Sequence, residues 1–161
     1  MYRTLAMVVL TGFGFTPAHP ADEQPKPTKF EMTKVEKRLL ELTNAERKKE
    51  ELPLLKAAPL LFQSARAHSA NMAKQGKMEH ELDGKTPFQR IKGAGYQYYL
   101  AGENIAFGPL DLKLVMKGWM DSEGHRKNIL HKGYTEIGLG VVQGGDGYYY
   151  YTQVFGTPSK R

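Results

Sequence analysis

The sequence predicts a mixed fold, either of the α+β class or a layered α-β-α sandwich. Helical periodicity fills the first half of the chain, and the clearest strand pattern lies at its end. Helical and strand segments then mix, which favours layers packed on one core. The length of 161 residues and the 40% hydrophobic content suit one globular domain.

The first helix is predicted from Lys34 to Glu51. Thr33 can act as its N-cap, and Glu36 follows at the spacing of a capping box. An apolar stripe is expected on the inward face, formed by Val35, Leu39, Leu42 and Ala45. Pro53 ends the helical pattern.

A second helix is predicted from Pro59 to about Gln75, with Gly76 as its C-terminal stop. The residues that share its inward face are Leu61, Ala65, His68 and Met72. A histidine on an apolar face is more often a core residue than a ligand. We therefore expect His68 to be buried, with one hydrogen-bond partner.

Three shorter helical segments follow. A polar loop at 80–85 leads into a short helix at 88–92, which Thr86 and Pro87 start. After that short helix, Asp111 caps the next one, and Ser122 can cap a further helical turn that contains His125.

The chain ends in a predicted β-hairpin. Apolar residues alternate with glycine over 137–141, a glycine-rich turn follows at 144–147, and 148–155 returns as the second strand. Four consecutive tyrosines begin that strand. Alternation places Tyr149 and Tyr151 on one face and Tyr148 and Tyr150 on the other. One pair is expected in the core, and the other either lines a groove or packs beneath the flanking helices.

The N-terminal residues predict an export signal and a linker. Arg3 precedes a mostly apolar stretch from Leu5 to Phe15, and small residues allow cleavage after Ala18. We assign 1–18 to a signal peptide, 19–33 to a proline-rich linker and 34–158 to the domain. The alternative for the first segment is a buried helix.

Composition excludes several classes of protein and of site. The chain has no cysteine, so disulfides, thiolate metal sites and cysteine nucleophiles are excluded. The net charge of +6 is modest and comes without a nucleic-acid recognition motif, so we expect no nucleic-acid partner. The apolar stretches are too short for a stable membrane anchor. No G-x-S-x-G motif is present to support a serine hydrolase.

The candidate chemistry centres on Glu103. Its small and apolar neighbours predict burial, and a buried carboxylate requires a cation, a metal or strong hydrogen-bond donors. His80 and His125 lie at loop–helix junctions where side chains can converge. Two histidines and a carboxylate suffice to bind Zn²⁺ with a position left for water. In the alternative, Glu103 only orients a histidine or a backbone turn.

The chain resembles the CAP superfamily, which comprises cysteine-rich secretory proteins, antigen 5 and pathogenesis-related 1 proteins and is also called the SCP domain. Four blocks in order carry the resemblance: 42–47 with 52–54 and 65–72; His80 with 83–88; 101–106; and 118–130 with the closing 151–156. They span nearly the whole predicted domain. The absence of cysteine and the Gly-His-Arg-Lys-Asn-Ile-Leu segment are similar to the bacterial exported branch.

The resemblance implies a three-layer α-β-α sandwich with a central antiparallel sheet. It also implies a cleft with two histidines and two acids that binds Zn²⁺ in some members. His80 matches the first histidine and Glu103 the first acid. Ser122 stands at the position of the second acid, and Tyr150 at that of the second histidine.

These departures shape the predicted site. His125 is the expected bacterial substitute for the second histidine, and the divalent-metal set is therefore His80, Glu103 and His125. Candidate cleft residues beside it are Ser122, Glu123, as a stand-in for the second acid, and Tyr150.

The predicted function is that of a secreted, monomeric ligand-binding or interaction module of the extracellular or envelope space. Its expected partner is a lipid or a cell-envelope ligand. The alternative is a peptidase-like, zinc-dependent hydrolase that uses metal-bound water. A third hypothesis leaves the histidines with a purely structural role.

Overall fold

The computed structural model describes residues 29–160. Within this range the helices are α1 (Lys34–Lys49), α2 (Pro59–Gln75), α3 (Pro87–Gly93), α4 (Leu112–Asp121) and α5 (Glu123–Ile129). The strands are β1 (Lys56–Ala57), β2 (Tyr98–Gly108), β3 (Glu136–Gln143) and β4 (Tyr149–Pro158).

The strands form one sheet in the order β1-β3-β4-β2. Strands β3 and β4 form the predicted hairpin, and β2 pairs antiparallel with β4. The two-residue β1 pairs parallel with β3, which the sequence did not predict. The α+β class and the central antiparallel sheet are thus confirmed, and β2 is left as an edge strand.

One face of the sheet is covered by α2. Gly138 and Gly140 of β3 face this helix so closely that a Cβ on Gly138 would lie 2.0 Å from the backbone carbonyl carbon of Leu61. A Cβ on Gly140 would lie 2.4 Å from the carbonyl oxygen of Ala65. The glycines therefore allow helix and strand backbones to touch.

The opposite face is covered by α1, α4 and α5. Residues from both layers form the larger core cluster, including Leu39, Trp119, Ile129, Leu139, Tyr151 and Phe155. Because side chains alternate along β4, Tyr151 and Phe155 enter this cluster, while Tyr150 and Val154 enter the clusters under α2. Three layers follow, as the sequence predicts.

Helix α1 confirms its predicted start but corrects its predicted face. Thr33 and Glu36 form both hydrogen bonds of the capping box. The helix ends at Lys49, two residues before the predicted end. Ala45 is exposed, whereas Arg47 is fully buried. Hydrophobic periodicity could not identify an arginine as the inward residue.

The N-terminal segments are only partly described. The predicted signal peptide lies outside the described residues, as does most of the linker. The linker residues 29–33 are described, and Phe30 packs against Phe62 with ring centroids 5.0 Å apart. Within 29–160, no helix is long and apolar enough to cross a membrane.

Candidate functional site

Glu103 lies near the middle of β2, and its side chain is 2% exposed. The guanidinium of Arg90 donates to both carboxylate oxygens, from Nη2 to Oε1 at 3.0 Å and to Oε2 at 2.8 Å. Nδ1 of His80 lies 2.9 Å from Oε1. Burial of Glu103 is thus confirmed, and a cation and a histidine compensate its charge.

Arg90 reaches this position from α3. Thr86 and Gln89 form a capping box that fixes the start of the helix one turn before the arginine. Nη1 of Arg90 also donates to the backbone carbonyls of His80 and Lys85, each at 2.8 Å. The same guanidinium therefore ties the polar loop to the carboxylate.

His68 lies beneath the same carboxylate. It is buried, as predicted, and its Nε2 is 3.8 Å from Oε1 of Glu103. Neither ring nitrogen has a partner of strict hydrogen-bond geometry within the described part of the chain, although the backbone of Glu79 interacts with the imidazole and acts to raise its pKa. Burial lowers the pKa of His68 to about 4, although Glu103 acts in the opposite direction. The imidazole is therefore neutral at pH 7.

We expect this histidine to make folding pH-dependent. Its folded-state pKa lies below the ordinary value of 6.5, so the unfolded chain takes up the proton first as the pH falls. The stabilisation of the folded domain that the neutral His68 allows is complete above about pH 6.5, and it is lost progressively as the pH falls towards about 4. Between about pH 7.5 and 5, the free energy of unfolding should fall by about 2 kcal/mol from this group.

Urea unfolding of wild type and His68→Gln at both pH values measures this contribution. The variant should lose most of the pH dependence, and the remainder includes His125, whose pKa is also lowered. His131→Gln is the control for the substitution itself, because it replaces an exposed histidine in the same way. Equal pH dependence in wild type and His68→Gln would contradict the burial of a neutral imidazole.

His125 lies in α5, half-buried. Burial and the proximity of His80 both lower its pKa, burial being the larger cause. Its backbone carbonyl accepts a hydrogen bond from Nδ2 of Asn104 at 3.1 Å. Asn128 of the same helix donates to Oδ1 of Asn104 and to the carbonyl of Glu103. Two asparagines therefore hold α5, and with it His125, against β2.

An apolar cleft of about 380 Å³ runs along the outer edge of β2. One wall is the strand end from Ile105 to Gly108, and the other is α4 with Leu114 and Trp119. Ser122 and His125 also line it. The Nε1 of Trp119 donates to the carbonyl of Ile105 at 2.9 Å, which fixes the indole against the edge strand. The cleft is therefore apolar with hydroxyl and imidazole groups in its lining.

The structure places the other candidate residues as follows. Ser122 lines the cleft, but its side chain makes no capping bond to α5. Glu123 is exposed and pairs with Lys127 at 2.6 Å. Tyr150 is buried under α2, where its hydroxyl donates to Asp146 at 2.7 Å. Glu123 and Tyr150 are thus not among the residues that line the cleft.

The fit of a metal ion depends on whether Glu103 is available. Both of its oxygens accept from Arg90, and one also faces His80. Within 29–160, no three histidine, aspartate or glutamate side chains are grouped closely enough to hold an ion. The described arrangement therefore does not fit zinc, and the set of His80, Glu103 and His125 stays a prediction.

Sequence reasoning missed Arg90. The requirement for a cation beside Glu103 was predictable, but nothing in the short segment 88–92 distinguishes Arg90 from Lys92. Helical spacing does not separate them either, because Arg90 and Lys92 directly precede and follow Ile91, the buried residue of α3.

Comparison with known proteins gives a consistent result. A family model described as the cysteine-rich secretory protein family, CAP, matches residues 40–155. The Bacillus subtilis protein YkwD is 46% identical over 111 residues, which are 68% of this chain and 43% of that protein. This chain therefore spans less than half of the length of that relative.

Solved structures show the same fold. An extracellular protein of Bacillus anthracis that contains an SCP domain aligns with a TM-score of 0.70 and 33% identity, over 76% of this chain and 40% of that chain. An outer surface protein of Borrelia burgdorferi aligns with a TM-score of 0.74 and 24% identity, over 81% of this chain and 97% of that chain.

Proposed function

Because the chain belongs to the CAP, or cysteine-rich secretory protein, family, we propose that it is an extracellular module that binds the apolar part of a lipid or cell-envelope ligand. The proposed site is the cleft between β2 and α4. The names of the Bacillus anthracis and Borrelia burgdorferi structures, extracellular and outer surface, support the proposed location.

The observation that carries the proposal is the exposure of large apolar side chains at this cleft. Met78, Phe107 and Leu114 line it and are each about half exposed. Contiguous apolar surface in contact with water marks a site for a ligand or a partner. The imidazole of His125 supplies a polar group in the same lining. An amphiphilic ligand matches this combination.

The test uses dodecanol as the probe and Trp119 as the reporter. Trp119 is the only tryptophan in the sequence and lines the cleft, so its emission reports this site directly. We expect a saturable change in emission as dodecanol is added below its solubility limit. Leu114→Asp should weaken binding at least about tenfold, because a carboxylate would be desolvated against the bound chain.

Leu54→Asp is the matched control for this substitution. Leu54 and Leu114 are 55% and 53% exposed, so both variants should fold equally well. Leu54 does not line the cleft, and its variant should bind dodecanol like the wild type. The proposal fails if Trp119 does not respond to the probe, or if the two variants bind it equally.

A metal is not required for this function. Repeating the titration with zinc chloride determines whether the predicted set of His80, Glu103 and His125 affects the cleft. A zinc effect that His125→Ala abolishes would mean that the imidazole of His125 binds the ion beside the cleft. The zinc-dependent hydrolase is the weaker alternative, because the carboxylate that would serve it is held by Arg90.

A further inference from the structure

A second cavity, of about 560 Å³, lies between α2, the loop at 82–85 and α3. It shares no lining residue with the cleft along β2. Its volume falls within the range of about 300–1,000 Å³ that is usual for small-molecule sites. Eight of its twelve lining residues have polar side chains, although carbon atoms form most of its exposed surface. The first cleft has few polar residues, so the two sites would select different chemistry.

Two side chains line this cavity with buried polar atoms that make no hydrogen bond within the described residues, namely Oγ of Ser64 and Nε of Arg90. The ring nitrogens of His68 also lack a partner of strict hydrogen-bond geometry there, although the backbone of Glu79 interacts with this imidazole. Ser64 and His68 are 3% and 1% exposed, and the side chain of Arg90 is 11% exposed. Buried polar groups are nearly always paired, so a group of them around one cavity indicates a polar ligand.

The charges around the cavity are balanced. The positive charge of Arg90 is compensated by Glu103, to which it donates twice. Lys85 and Asp83 add one charge of each sign to the lining. The charges of the lining residues and of Glu103 therefore sum to zero, although Lys85 and Asp83 form no ion pair among the described residues. Balanced charge favours an uncharged ligand.

The lining of the cavity offers both hydrogen-bond donors and hydrogen-bond acceptors. Nε of Arg90 can only donate, whereas the hydroxyl of Ser64 and the neutral imidazole of His68 can each donate and accept. The amide of Gln63 adds a further donor and acceptor to the lining, whereas those of Asn71 and Gln89 are partly engaged with Asp83, Gln75 and Thr86. Sugar hydroxyls also combine a donor with an acceptor. We propose that the cavity binds a small, uncharged, polyhydroxylated ligand of the saccharide class.

The test is an NMR titration of the ¹⁵N-labelled protein with glucose and with N-acetylglucosamine. Saturable shifts are expected at amides around the cavity, such as those of Ala67, Leu82 and Ala94, and not at the indole of Trp119. Ser64→Ala should weaken binding about tenfold through the loss of one hydrogen bond. Ala67→Phe, at an exposed position of the lining, should abolish binding by filling the space.

Ser69→Ala is the matched control, because Ser69 is a buried serine of the same helix. Its Oγ is bonded to Oγ1 of Thr152 at 2.8 Å and does not line the cavity. This variant should lose stability and keep sugar affinity, whereas Ser64→Ala should keep stability and lose affinity.

Three results would overturn the proposal. Absence of shifts with either sugar would mean that ordered water alone satisfies the buried atoms. Full affinity in Ser64→Ala would remove the cavity as the binding site. Binding of glucuronate as tight as that of glucose would show that charge balance does not set the selectivity. Each readout is separate from the emission of Trp119, so this proposal and the proposed function can fail independently.

Discussion

Gly138→Ala is expected to destabilise the domain by about 3 kcal/mol or more, or to prevent folding. The added Cβ would lie 2.0 Å from the carbonyl carbon and 2.2 Å from the carbonyl oxygen of Leu61. Both atoms belong to the backbone of α2, so no side-chain rotation relieves the clash. Helix and sheet must separate, and the packing between α2 and β3 is lost. Urea unfolding with circular dichroism measures the change.

Gly118→Ala is the control for this substitution. Gly118 lies inside α4, and a Cβ there would meet nothing within 4 Å. Alanine is the better helix former, so this variant should gain up to about 1 kcal/mol. A Gly138→Ala variant with wild-type stability would contradict the close contact between the α2 and β3 backbones.

Gly138 illustrates which features of this fold a sequence pattern predicts and which it does not. Apolar residues that alternate with glycine predict a strand, and β3 confirms that prediction because period-two alternation is a local property. The reason for glycine at 138 and 140 is not local. It depends on a helix about 75 residues earlier in the chain, whose distance from the strand no spacing encodes.

The candidate site was likewise predictable in part. Burial of Glu103 was predictable from its small and apolar neighbours, and the need for a cation followed from the cost of desolvating a carboxylate. The choice of Arg90 as that cation depends on how α3 is oriented against β2. The proximity of His80 to Glu103 was anticipated through the family resemblance, and the structure places Nδ1 within 2.9 Å of the carboxylate.

Tyrosines in β4 were predicted less well. Alternation correctly separates Tyr150 from Tyr151, and both are buried on opposite faces of the sheet. Tyr149 and Tyr151 pack in the larger core cluster, as expected of one pair. The other pair was expected to line a groove or to pack beneath the flanking helices, and it divides: Tyr150 packs under α2, whereas Tyr148 is exposed next to the turn. Fewer neighbouring elements pack over the end of a strand than over its centre. The period-two pattern does not show at which residue this packing stops.

Arg47→Met is expected to cost at least about 3 kcal/mol of unfolding free energy. Arg47 is fully buried, and no carboxylate pairs with it among residues 29–160. Its guanidinium donates instead to four backbone carbonyls, those of Pro53, Ile129, His131 and Tyr134. Methionine fills similar space but leaves all four acceptors without their donor.

Two further variants separate this mechanism from a simple loss of charge. Arg38→Met removes an exposed ion pair with Glu41 and should change stability by less than about 1 kcal/mol. Arg47→Lys keeps the charge but lacks the planar fork that spans several acceptors, so it should recover less than half of the loss. Full recovery by lysine would show that charge, rather than the fixed set of donors, is what the site requires.

Arg47 also links the core to the proposed cleft, so Arg47→Met should affect ligand binding as well as stability. The carbonyl of Ile129, which accepts from Arg47 at 2.8 Å, belongs to the last residue of α5. The other end of that helix carries His125 beside the apolar cleft. A variant of Arg47 that still folds should therefore bind dodecanol more weakly, although Arg47 does not line the cleft. Unchanged affinity in such a variant would mean that the asparagine contacts to β2 suffice to position α5.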